Sequence, residues 1–188
     1  TRRFGDAAPD FNPPATTGQP NALDIAAVVN KLKSAPGALA KAITQLPDRV
    51  ANTLRLDKSG SVATLKWLHA YQAPTYNVYR GTFGGGFAFA YNETCLNTEN
   101  AARTVNDGAT PTPGNGFYYI IGSRNACGES AAVTNGQGLN HTPSPTCTTA
   151  NRNSDADTPR DLGDNCPLVT NATQGDVDGD SQGDACDN

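Results

Sequence analysis

Val62-Ala63-Thr64-Leu65-Lys66-Trp67 alternates its side chains with a period of two. In an extended strand this puts Ala63, Leu65 and Trp67 on one face and Val62, Thr64 and Lys66 on the other. Tyr76-Asn77-Val78-Tyr79-Arg80 repeats the pattern with Tyr76 and Val78, and Phe117-Tyr118-Tyr119-Ile120-Ile121 is an apolar run suited to a central strand. Turn residues separate further short segments of the same kind. Strands are expected at 50–56, 62–68, 76–81, 87–96, 103–106, 116–124 and 131–139. Short strands at this spacing predict an all-β sandwich over residues 51–147, and a mainly β chain.

On either side of this region the composition changes. From Asn153 to Asn188 there are nine aspartates, two cysteines and almost nothing apolar beyond Leu162, Val169 and Val177. No hydrophobic core can order such a segment. Its spacing offers another source of order. Asn153, Asp155, Asp157, Pro159, Asp161 and Asp164 fall at positions 1, 3, 5, 7, 9 and 12 of a loop, and Asp176, Asp178, Asp180, Gln182, Asp184 and Asp187 repeat them. In a calcium loop these positions supply converging oxygens, the seventh through its main-chain carbonyl. Two calcium ions are therefore expected between residues 148 and 188. The bland alternative, a solvated acidic tail, would not keep twelve-position spacing or place cysteines beside it.

Asp164-Asn165-Cys166-Pro167, Asn171-x-x-Gln174-x-Asp176-x-Asp178-x-Asp180 and Gly183-Asp184-x-Cys186-Asp187 resemble the thrombospondin type 3 repeat over about a fifth of the chain. The resemblance implies a Cys166–Cys186 bridge stapling consecutive loops. The glycine usual at position 6 is replaced by Thr158 in the first loop and Ser181 in the second.

The middle region resembles the fibronectin type III fold. Trp67 stands where that family's core tryptophan lies in the second strand, and Tyr119-x-Ile121-x-Ser123-x-Asn125-x-x-Gly128-Glu129-Ser130 matches its penultimate strand and the following turn. This implies that Tyr119 is a corner tyrosine whose hydroxyl bonds back to the main chain. The family requires no disulfide, so Cys95, Cys127 and Cys147 are departures from it. Cys95 and Cys127 are expected towards the same end of the sandwich and are preferred as a pair over Cys127–Cys147. One thiol is left over, either free or joined to another chain.

Residues 1–50 read as a helical segment. Leu23, Ile25, Val28, Val29 and Leu32 form an apolar face over 22–33, Ser34-Ala35-Pro36-Gly37 breaks it, and Leu39, Ile43 and Leu46 suggest a second short helix ending before Pro47. Ahead of them, Asp10, Asn12, Gly18, Asn21 and Asp24 match positions 1, 3, 6, 9 and 12 of a calcium loop if three extra residues are allowed within 13–17. This resembles one half of a dockerin, with the second duplicated loop missing, and implies one further calcium ion. The other reading makes Asp10 and Asn12 turn formers and Asp24 a first-turn helix acid.

The net charge of -4 is split: nine acids against Arg152 and Arg160 leave -7 from Asn151 onward, so the remainder is +3. No part is basic enough for nucleic acid. Cysteines without zinc-type pairing, together with calcium loops, point outside the cell, to a secreted or cell-surface setting. Sequons at Asn92, Asn140 and Asn171 permit glycosylation there. No signal peptide or membrane-inserting span is read, and the chain reads as a piece of a longer secreted polypeptide.

Catalysis is not expected. His69 and His141 lack a serine or cysteine partner, Glu93, Glu99 and Glu129 are placed in loops, and Gly84-Gly85-Gly86 is a hairpin rather than a phosphate loop. No exposed aromatic platform for carbohydrate is legible. Two functional classes remain. One is a calcium-stabilised structural or adhesive protein that self-associates, with itself or with neighbouring modules, as a cell-surface or matrix fibre subunit. The other is a non-catalytic spacer or anchor of a secreted hydrolase.

Overall fold

A computed structural model describes residues 45–85, 89–134 and 140–187. The helices expected at 22–33 and near 39–46, and the N-terminal loop of Asp10, Asn12, Asn21 and Asp24, lie outside the described residues but for Gln45 and Leu46, which are not helical. The described chain is mainly β, as expected. Its strands are β1 (Arg55–Ser59), β2 (Val62–Lys66), β3 (Thr75–Phe83), β4 (Thr94–Asn100), β5 (Thr104–Asp107), β6 (Gly116–Asn125), β7 (Gly128–Glu129), β8 (Val133–Thr134) and β9 (Asn140–His141). They form a three-stranded sheet β1-β2-β5, a four-stranded sheet β4-β3-β6-β7 and a small β8-β9 ladder, all antiparallel.

The core lies between the two larger sheets. Leu65 and Val105 from one meet Tyr76, Val78 and Ile121 from the other, with Trp67, Val50, Ala70 and Ala73 filling the end. Leu65 lies opposite Val105 across β2 and β5, and Val78 opposite Ile121 across β3 and β6. Trp67 packs edge-on to Tyr76 at 5.5 Å between centroids. The Tyr76 hydroxyl accepts the Ala70 N–H at 2.9 Å, so the ring's polar end is satisfied inside the core.

Other expectations shift. Ala51–Thr53 is a 3-10 turn rather than strand, and β4 begins only at Thr94, with Phe89, Ala90 and Tyr91 outside any strand. The Tyr119 hydroxyl donates to Asp107 Oδ2 at 2.9 Å, not to the main chain. Asp107 ends β5 on the inner face, ion-paired to Arg80 at 2.9 Å. A carboxylate there is a stronger acceptor than a neutral carbonyl.

The second face of the four-stranded sheet carries polar and aromatic groups. Tyr79 donates through its hydroxyl to both Glu129 carboxylate oxygens at 2.9 and 3.0 Å, while Asn77 Nδ2 donates to Glu129 Oε2 at 2.7 Å. Glu129 reaches them only because residue 122 is glycine: a Cβ there would lie 1.9 Å from its Oε1.

The expected Cys95–Cys127 pair is corrected to Cys95–Cys147, with Cα atoms 5.1 Å apart. Register explains the difference. Cys95 lies opposite Tyr79, which lies opposite Ile120. Cys127 follows the far end of β6, roughly 16 Å or more along the sheet from that level, beyond the reach of a disulfide. Cys147 is instead brought over Tyr79, whose hydroxyl accepts its N–H at 3.0 Å. Cys127 is exposed and belongs to neither bridge. The bridge closes 52 residues, and the double variant Cys95→Ser/Cys147→Ser is expected to lose about 4 kcal/mol of stability. Urea unfolding measures this; an unchanged midpoint would refute it.

Candidate metal centre

Residues 153–187 fold as successive turns held by carboxylates and one disulfide, Cys166–Cys186. In the first loop, Asp155 Oδ1 accepts the Asp157 N–H at 3.1 Å, Asp157 Oδ2 the Asn171 N–H at 2.6 Å, and Asp164 Oδ1 the Cys166 N–H at 2.8 Å. Each of the three thus spends one oxygen on the main chain. Asp155 Oδ2, Asp157 Oδ1 and Asp164 Oδ2 are buried and have no hydrogen-bond partner. One oxygen from each residue lies within 4.8 Å of the others.

Orphaned buried carboxylate oxygens are costly, and three beside one another more so. Burial first, and then the charges of Asp157 and Asp155, push the Asp164 carboxyl up despite the bonds from Gln174 and Cys166. No described ion pair reaches these residues. An all-oxygen carboxylate set of this kind fits a hard divalent cation.

The second loop is more open. Asp176, Asp178 and Asp180 bring one oxygen each within 4.8 Å of one another, with Asp176 buried and the other two exposed. Asp176 accepts the Gly179 and Ser181 N–H groups at 2.8 and 3.0 Å. Burial, with Asp180 and Asp178 adding to it, pushes its carboxyl up.

The remaining candidates have other partners. Asp161 accepts Ser154 N and Oγ at 2.7 and 2.6 Å, and Asn153 Nδ2 donates to the Asp157 carbonyl at 2.6 Å. Pro159 follows a cis peptide bond. Asp184 Oδ1 accepts the Val177 N–H at 2.9 Å, and Asp187 Oδ1 accepts Gln182 Nε2 at 2.8 Å. Asp161, Asp184 and Asp187 are not among the carboxylates of the two convergent groups.

Sequence reasoning missed how the repeat docks. Ser181, the residue at the usual glycine position, has φ +74°. Its Oγ accepts the Gln72 N–H at 2.6 Å and lies 3.3 Å from His69 Nε2. The neighbouring Gln182 Oε1 accepts Arg103 Nη1 at 2.9 Å. Burial and then Arg103 push the His69 imidazole down, against smaller opposing effects from Asp180 and Asp187. On the other side, Leu162 O accepts the Ala126 N–H at 2.9 Å, and Glu99 Oε1 accepts the Ala150 N–H at 3.0 Å in the connecting segment. The replacement of a glycine by a hydroxyl-bearing residue was the available signal.

Of the sequons, Asn171 Nδ2 donates to Asn165 Oδ1 at 2.6 Å and Asn140 Oδ1 accepts from Arg49 Nη2. The Asn92 carboxamide is closed against Thr82, accepting its N–H and donating to its carbonyl, both at 2.9 Å. Among the described residues no helix is long and apolar enough to cross a membrane. Two disulfides indicate an oxidising, extracellular environment.

No protein-family model and no curated protein matches this chain. Among solved structures, it is similar to a Fn3-like protein from Clostridium thermocellum, with 22% identity and a TM-score of 0.35, covering 48% of this chain and 86% of that one. It is also similar to the pectate lyase PelI from Erwinia chrysanthemi in complex with tetragalacturonic acid, with 21% identity and a TM-score of 0.32. That match covers 54% of this chain and 29% of the lyase. The first is a distant likeness to a fibronectin type III-like β-sandwich.

Proposed function

We propose that this chain is an extracellular, non-catalytic structural module in which calcium orders a thrombospondin type 3-like repeat and fixes it to a fibronectin type III-like sandwich, and that it serves as a subunit of a cell-surface or matrix fibre. The observation that carries the calcium reading is the set of buried, partnerless oxygens on Asp155, Asp157 and Asp164. Asp155, Asp157 and Asp164 would hold one ion, and Asp176, Asp178 and Asp180 a second. When bound, calcium supplies charge neutralisation and oxygen coordination in place of a hydrophobic core. The main-chain bonds to the same carboxylates set the loop shape, and Ser181 ties the second loop to Gln72 and His69 of the sandwich.

Self-association is supported by β1, an edge strand of the three-stranded sheet whose five residues are all exposed. An open edge is a ready pairing surface for another chain. Light scattering in millimolar calcium, repeated after chelation, tests the fibre reading. A large assembly that dissociates on chelation is expected. A monomer in both conditions would overturn the fibre role and leave that of a spacer.

A further inference from the structure

β1 and β2 form a hairpin whose register sets Arg55, Asp57 and Ser59 opposite Lys66, Thr64 and Val62. The other neighbour of β2 fixes which way the main-chain groups point. Trp67 N–H donates to the Arg103 carbonyl at 3.2 Å, beside β5. By alternation Trp67, Leu65 and Ala63 address β5, while Lys66, Thr64 and Val62 address β1. Across the hairpin, Arg55, Asp57 and Ser59 therefore direct their main-chain groups at β2. Leu56 and Lys58 direct theirs the other way, and among the described residues no strand lies on that side.

The side chains of this edge form a pattern. Leu56 lies opposite Leu65 and so projects from the core face of the sheet, yet it is 56% exposed where Leu65 is fully buried. Arg55 and Asp57 flank it on the other face, and both are exposed. Arg55 Nη1 donates to the Asn52 and Leu54 carbonyls at 3.1 and 2.9 Å, and Asp57 meets Lys66 Nζ at 3.4 Å in a solvent-exposed pair. An apolar residue between opposite charges makes the strand complementary to its own reverse.

We infer that β1 pairs with β1 of a second copy of this chain, antiparallel about a two-fold axis at Leu56. This rests on the self-association reading above and names its contact. A two-fold axis through a continuous sheet sets one residue opposite itself and its neighbours opposite one another in reverse order. Of the five residues of β1, Arg55, Asp57 or Lys58 on the axis would bring like charges face to face, which destabilises the pair. Ser59 on the axis would leave the strands overlapping only at the hairpin turn. Leu56 on the axis sets Leu56 against Leu56, Arg55 against Asp57 twice, and Lys58 against Leu54 twice. Leu56 then exchanges both main-chain bonds with its copy. The opposite charges fall at the closer, non-hydrogen-bonded positions, with about 4.5 Å between Cα atoms. The two copies share one sheet, β5-β2-β1 running on into the β1-β2-β5 of the other. Such a contact closes on itself: it makes a dimer, and growth into a fibre requires a second contact elsewhere.

The test uses the full chain. Sedimentation equilibrium in EGTA, over a dilution series, reads the dimer apart from any calcium-dependent assembly. A reversible dimer is expected. Asp57→Arg, which sets arginine against arginine twice, should weaken it by about tenfold or more, and Arg55→Asp/Asp57→Arg, which exchanges the charges, should restore it. Both positions are exposed, so Tm is expected to stay unchanged. Register is read by crosslinking with oxidised glutathione in millimolar calcium, in a Cys127→Ser background. Leu56→Cys should join two copies, because its Cα atoms would lie about 5.5 Å apart, within disulfide reach. Lys58→Cys, offset from its copy by four residues or roughly 13 Å along the strand, should not. A monomer at every dilution, a charge exchange that fails to restore the dimer, or crosslinking as fast at Lys58 as at Leu56 would each overturn the inference. Light scattering of the same variants in calcium separates it from the fibre reading. Large assemblies that persist when the dimer is absent would leave that reading standing without this contact, and a Leu56-centred dimer that never grows in calcium would do the reverse.

Discussion

Excess EGTA is expected to abolish amide protection across residues 153–187 while the strand amides of Leu65 and Val78 stay protected. Hydrogen exchange reads both regions in one experiment. With calcium at a hundred times its Kd, each ion adds about 2.7 kcal/mol to the folded repeat, and little else is available to replace it. Leu168, Val169 and Val177 are exposed, so the segment has little apolar reserve beyond half-buried Leu162, buried Pro167 and the buried Cys166. The two loops are expected to respond unequally. Asp157 is buried and carries an oxygen without a partner, whereas Asp178 is exposed. Asp157→Asn should therefore weaken calcium binding and protection far more than Asp178→Asn. Equal losses would remove the basis for assigning the tighter site to the first loop.

The sandwich itself is expected to unfold between pH 10 and 12, followed by tyrosinate absorbance and circular dichroism together. Burial pushes the Tyr76 and Tyr79 hydroxyls up to about 12, in Tyr79 with a further contribution from Glu129. In the unfolded chain both would ionise near 10. A folded pKa raised above the unfolded value contributes stability that is whole below pH 10 and is lost as pH rises towards 12. Two units correspond to about 2.7 kcal/mol for each ring, and two such rings rival the stability of an ordinary domain. Tyr79→Phe should delay the transition, since it removes an ionisable hydroxyl, although it also removes bonds to Glu129 and Cys147. Tyrosines that titrate smoothly at pH 10 with no loss of structure would show these hydroxyls to be solvated.

The legible parts of the fold were those governed by periodicity. Leu65 and Trp67 declared the inner face of β2 through alternation, and Phe117 to Ile121 the central strand through continuous apolarity. Phe89 and Tyr91 misled for the same reason: they alternate like strand residues, yet Tyr91 stacks on His141, fifty residues distant, and Phe89 leans on Tyr118. Cysteine pairing depended on register, which no spacing between Cys95, Cys127 and Cys147 reveals. In the acidic repeat, twelve-position spacing located the carboxylates without assigning their work. Asp155, Asp157, Asp161, Asp164 and Asp184 all sit at ligand positions and all accept a main-chain N–H, because the same oxygen chemistry serves a turn as well as an ion.

The two disulfides also set how this chain would behave under tension. Cys95–Cys147 and Cys166–Cys186 enclose 52 and 20 residues. A pull applied through the backbone bypasses each enclosed stretch, hiding roughly 180 Å and 70 Å of contour that reduction would release at up to about 3.5 Å per residue. Oxidised, the chain would extend only through the stretches outside the two bridges, β1, β2 and β3 among them, and in a reducing solution it would release the enclosed stretches as well and become a longer and slacker tether.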